Sequence, residues 1–215
     1  MKDLHHLNIL FHVLAGSIAL LAGLAALIVR KGSAGHIRFG HYFMRMLIVV
    51  IITGLIGVFV FKRNTFLLVI TLLSAYNCFS GIRVIRLRGQ RPGTIDLVVP
   101  LVVIAAAGYY LYYISSIGLY WKPVIIYSTI GALFLVTGYD LCRIFFSKSL
   151  LLKASGYEHI YKMVSAFSGI TSAFTGTVFP KYQPYSQFLP SVIGLAYIIV
   201  TFIWFSNKRA KCAQL

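Results

Sequence analysis

Seven apolar runs divide the chain, at 7–29, 43–61, 65–85, 95–116, 121–146, 159–179 and 187–206. Each is close to the 20 or so residues a helix needs to cross the hydrocarbon of a bilayer. None alternates apolar with polar residues as a barrel strand would. Short polar stretches with turn-forming residues separate them, among them Lys31-Gly32-Ser33, Arg91-Pro92-Gly93 and Pro180 to Pro184. The pattern predicts an all-α fold: a polytopic integral membrane helical bundle of about seven transmembrane helices, forming a single transmembrane helical domain over 1–215. The first run is longer than the apolar core of a signal peptide and reads as a span.

Composition supports lipid as the solvent. Of 215 residues, 59% are apolar and only 11% charged, and mean hydropathy is +0.85. Soluble domains are nearer half apolar and a quarter charged. Basic residues dominate, 20 Lys and Arg against 4 Asp and Glu. They lie in clusters between the apolar runs, not on one folded face, so nucleic acid is not an expected partner. Five fall on one side of a seven-span topology: Lys2, Lys62, Arg63, Lys122 and Lys181. The other 15 fall on the opposite side, which the positive-inside rule makes cytoplasmic. The expected location is the cell inner membrane, N-terminus outside and C-terminus cytoplasmic. Expected partners are the bilayer, anionic lipids at the cytoplasmic face, and further copies of the chain as a homo-oligomer. Tyr109, Tyr110, Tyr112, Tyr113, Tyr120 and Trp121 gather at the expected outer boundary, where amphipathic rings belong. Cys78, Cys142 and Cys212 are scattered and imply neither a disulfide framework nor a thiolate metal site.

Small residues mark helix contacts. Ala15, Gly16, Ala19, Ala22, Gly23 and Ala26 form a stripe on the first span. The sixth carries Ser165, Ser168, Gly169, Thr171, Ser172, Thr175 and Gly176. Small residues let helices approach and hydroxyls bond across the contact. Both spans are therefore expected in the bundle centre.

Chemistry is expected where ionisable groups meet hydrocarbon, because such placement is costly. His36, His41, Asp96, Asp140, Glu158 and His159 all fall at the cytoplasmic ends of spans. Histidine with carboxylate suits a divalent metal. His41 and His159 could also grip a haem iron from both sides, making membrane redox or electron transfer the leading expectation. The alternative for these groups is helix capping or pairing with Arg38, Arg45, Arg83 and Arg143. A different function, small-solute or proton-coupled transport, would run between the first and sixth spans past His12, Thr171 and Thr175. A third is a scaffold or assembly factor without chemistry. The last run holds no Lys for a retinal Schiff base and no HxxxH for a late-helix zinc hydrolase. Walker, GxSxG and HExxH motifs are missing, which removes support for common nucleotide and hydrolase chemistry.

Several short motifs together carry a resemblance. They are His12 to Gly16, the loop Lys31-Gly32-Ser-Ala-Gly-His36-Ile-Arg38-Phe-Gly40, Ser80-Gly-Ile-Arg83, Asp96, and Glu158-His159 to Met163 followed by Thr171-Ser-Ala-Phe174. In these the chain resembles a group of uncharacterised multi-pass membrane proteins of bacteria, common in Bacteroidetes. The resemblance implies a multi-pass helical fold and no particular reaction. Leu97 stands where that group has Trp after the fourth-span acid.

Overall fold

A computed structural model describes residues 2–61, 66–117 and 122–212. Among the described residues the regular structure is helical throughout. The elements are α1 (Lys2–Ile28), α2 (Ala34–Phe59), α3 (Phe66–Leu87), α4 (Thr94–Ile117), α5 (Pro123–Cys142), α6 (Lys148–Val178) and α7 (Tyr185–Cys212). Each expected apolar run overlaps one of these helices, though the fifth run continues past α5 into a short 3-10 turn, Arg143–Phe145, and α6 begins well before the run at 159–179. The expected starts at 65 and 121, the cations Lys62 and Arg63, and the belt residues Tyr120 and Trp121 lie outside the described residues.

Local chemistry sets the helix ends. Ser33 and Ser147 cap α2 and α6, their hydroxyls accepting from the backbone N–H of His36 and Leu150 at 3.2 Å each. Gly32 and Gly89 sit at φ 77° and 79° in the α1–α2 and α3–α4 turns, backbone that a Cβ would strain.

Among the described residues six helical segments are long and apolar enough to cross a membrane: Lys2–Ile28, Ala34–Phe59, Leu68–Leu87, Thr94–Ser116, Pro123–Phe145 and Tyr185–Asn207. Their outer surfaces are apolar; Leu21, Leu135 and Val200 are 69%, 76% and 66% exposed. Polar side chains are instead buried, including Asn77, Asp140, Glu158 and Lys162. A surface this apolar around an interior this polar is stable only in lipid. The chain is therefore a multi-pass membrane protein.

The helix not counted among the six is α6. Its 31 residues reach about 46 Å at 1.5 Å per residue, but its hydroxyl and charged side chains lower its hydropathy. It packs against α3 and α7 and touches α1, so much of its surface meets protein, where polar groups find partners. The centre of the bundle is thus α6 with α3, which also touches α2, α4 and α5. This corrects the central position expected for α1. The small-residue stripe of α1 is buried as expected, Ala15, Ala19, Ala22, Gly23 and Ala26, but chiefly against α2. Its other faces, with Leu10, Leu14 and Leu21, are exposed.

Candidate functional site

Helix α6 brings Glu158 and Lys162 to one face, four residues apart. Helix α5 ends beside them with Tyr139, Asp140 and, in the following turn, Arg143. Lys162 is 1% exposed and forms a direct ion pair with Asp140. Its Nζ also lies 3.9 Å from Glu158 Oε2. Arg143, itself buried, places Nε 3.1 Å from Glu158 Oε2, an ion pair whose N–H is not aimed along a hydrogen bond. Two phenols complete the group. Tyr76 of α3 donates to Asp140 Oδ2 at 2.7 Å, and Tyr139 donates to Glu158 Oε1 at 2.9 Å.

A second ion pair stands next to it. Arg83 of α3 grips Asp96 of α4 through two bonds of 2.8 and 2.7 Å, and the Gly93 N–H adds a third at 2.9 Å. A cavity of about 10 Å³ separates the two groups, lined by Tyr76, Ser80, Arg83, Asp96, Asp140 and Arg143 among others. That is space for about one water molecule. Three carboxylates therefore face three cations, a formally neutral cluster. Neutrality matters here, since a buried charge without a partner costs several kcal/mol.

A row of polar side chains runs outward from this cluster. Ser74, Asn77 and Ser80 of α3 recur every third residue and are 0%, 2% and 5% exposed. The oxygens Ser74 Oγ, Asn77 Oδ1 and Ser80 Oγ have no hydrogen-bond partner among the described residues. The row faces α6. A Cβ on Gly169 would collide with Ser74, and one on Gly81 would stand 3.0 Å from Lys162 Cβ. Farther out, Ser172 meets Ser191 of α7 at 3.3 Å. Gln187 of α7 is 4% exposed, its Oε1 without a partner among the described residues, and fills the space left by Gly176. From Lys162 to Gly176 this seam spans about 21 Å of α6.

The residues expected to form the site divide. Asp140 and Glu158 come together, joined by Arg143 and Lys162. Asp96 lies across the small cavity, bound to Arg83. The acids thus pair with arginine and lysine, as the alternative to a metal site required for Arg83 and Arg143, whereas Arg38 and Arg45 are exposed. His41 is exposed, away from His159. Among the described residues no group of three or more His, Cys, Asp or Glu is placed to hold a metal ion. His159 instead meets His36, ring centres 6.5 Å apart and planes at 79°.

The expected path past His12 is also rearranged. His12 Nδ1 lies 2.9 Å from Thr53 Oγ1 of α2, not near a threonine of α6. The Thr53 hydroxyl donates to Val49 or Val50 carbonyls, so His12 is the donor in this pair. Thr171 donates to the Phe167 carbonyl of α6, and the one hydroxyl proton of Thr175 goes to Thr171 O of α6 or Ser186 O of α7.

Lys162, Tyr76, Tyr139 and the Ser74-Asn77-Ser80 row were not expected. Two signals in the sequence point to them: the Glu158/Lys162 pair at helical spacing and the three-residue period of the row. A separate cavity of about 690 Å³ between α2, α3 and α4 is lined by apolar side chains with Thr71, Tyr109, Tyr110 and Tyr113, and among the described residues no carboxylate, amine or imidazole lines it. No protein family, no curated protein and no solved structure matches the chain.

Proposed function

We propose that this chain is a seven-span inner-membrane protein, C-terminus in the cytoplasm, that moves protons along the α3–α6 seam. The Lys162–Asp140–Glu158 cluster is its ionisable gate at the cytoplasmic end. The observation that carries this reading is a fully buried lysine near three buried oxygens, of Ser74, Asn77 and Ser80, that have no partner among the described residues. Ionisable groups inside a membrane are expensive and commonly mark proton or ion paths. Buried oxygens without partners are rare in native proteins and point to water or an ion. Steps of three residues, about 4.5 Å of rise, suit bridging by single waters. In this reading α6 also spans, bringing the count to seven, and is polar because it lines the path. Kinship with the bacterial membrane proteins whose motifs the chain shares belongs to the same proposal.

Proton flux into sealed vesicles tests it. Purified protein reconstituted with a trapped pH-sensitive dye should acidify the lumen when a potassium gradient sets the interior negative. Asp140→Asn should lower that flux at least tenfold. Vesicles with wild-type protein that hold their pH as well as empty ones would overturn the proposal.

A further inference from the structure

Outside the seam, His36 and His159 form a second arrangement that the proton path does not use. His36 opens α2 and its Nδ1 donates to Ala26 O of α1 at 3.0 Å. His159 of α6 donates from Nδ1 to Gly81 O of α3 at 2.9 Å. A carbonyl only accepts, so in both rings the proton sits on Nδ1. In the neutral ring this leaves Nε2 a lone pair. A ring N–H held by a backbone carbonyl is the usual support of a metal-ligating histidine. The ring centres are 6.5 Å apart. Two imidazoles sharing one ion in line, with metal–nitrogen bonds of about 2.0–2.1 Å, set their centres about 6–6.5 Å apart.

The surroundings point to a soft metal. Apart from Met1 the chain has three methionines, Met44, Met46 and Met163, and all pack into one cluster with buried Cys78. Met163 is one turn from His159 on the same helix face. Its Sδ would stand 3.2 Å from a Cβ on Gly81, the residue whose carbonyl holds His159. Imidazole binds zinc, copper and iron alike, but thioether selects monovalent copper.

We propose that His36 and His159 bind one Cu(I) ion through Nε2, with the Met163 sulfur as a further donor. The site differs from the expected His/acid metal set: it takes His36 in place of His41 and leaves the carboxylates to their cations.

Anaerobic titration of the detergent-purified protein with Cu(I), against a chromophoric Cu(I) chelator, tests this. Wild-type protein should retain one Cu(I) per chain. His36→Phe and His159→Phe should each weaken retention at least tenfold, and Met163→Leu less. X-ray absorption of the loaded protein should show nitrogen and sulfur ligands. Circular dichroism and gel filtration identify any variant that fails to fold. Asp140→Asn should bind Cu(I) as wild type does, whatever happens to proton flux, which separates this proposal from the previous one. Wild-type retention no better than that of a folded His36→Phe/His159→Phe protein would overturn it. So would stoichiometric binding of Zn(II) with none of Cu(I).

Discussion

Helices α1 and α2 and helices α3 and α6 form two tight contacts in one molecule, built by different means. The α1–α2 contact is a stripe of alanine and glycine, with hydrogen bonds where His12 and Asn8 reach Thr53 and where His36 donates to Ala26 O. The α3–α6 contact uses glycines too, but it buries Ser74 and Lys162, with Asn77 and Ser80 buried beside them on α3. Close packing alone holds membrane helices, so the polar groups between α3 and α6 are not needed for adhesion. The first contact shows what holding helices together requires here, and the second exceeds it.

Substitutions should separate the two. The largest effect is expected for Lys162→Met, which strands buried Asp140. It should cost about 3–5 kcal/mol, read as reduced resistance to denaturation in mixed micelles. Lys162→Met combined with Asp140→Leu should recover more than half of that loss, because an ion pair replaced whole by apolar side chains is often neutral. No recovery would mean that the cluster contributes through more than charge balance.

Next in size is Gly23→Val on α1. A Cβ there would stand 2.5 Å from Phe167 and 3.0 Å from Phe43, so overpacking should cost about 1–3 kcal/mol. Gly16→Ala on the same stripe meets only Val50 at 3.8 Å and should be close to neutral in the same unfolding assay. Thr53→Val removes the partner of His12 and should cost about 0.6 kcal/mol, the average for such bonds between membrane helices. Lys31→Met should have an effect of similar size. Its Nζ donates to the Ala26 and Leu27 carbonyls at the end of α1, worth about 0.3–1 kcal/mol.

The helices were legible because apolar runs of spanning length have few other solutions. Turns at Gly32 and after Pro180 were legible for the same reason. The site was less so. Counting Lys162 with the cytoplasmic cations treated it as a surface charge, whereas its spacing from Glu158 turns it inward. The six-residue His/acid group shared a membrane depth, but depth says nothing of which helices are neighbours. Tyr76 reaches Asp140 across 64 positions of sequence, and no local pattern announces that. The placement of α1 failed for a related reason: small residues mark a close contact without naming the partner. The stripe met α2, its neighbour in the chain.

The most direct test of the proton path leaves every charge in place. Asn77→Leu blocks the middle of the α3–α6 row, while Thr53→Val alters a polar group outside it; both go into the same dye-loaded vesicles as wild type. Asn77→Leu should reduce proton flux at least tenfold, with Thr53→Val within twofold of wild type. Equal flux through wild type and a folded Asn77→Leu protein would contradict a path along the α3–α6 seam.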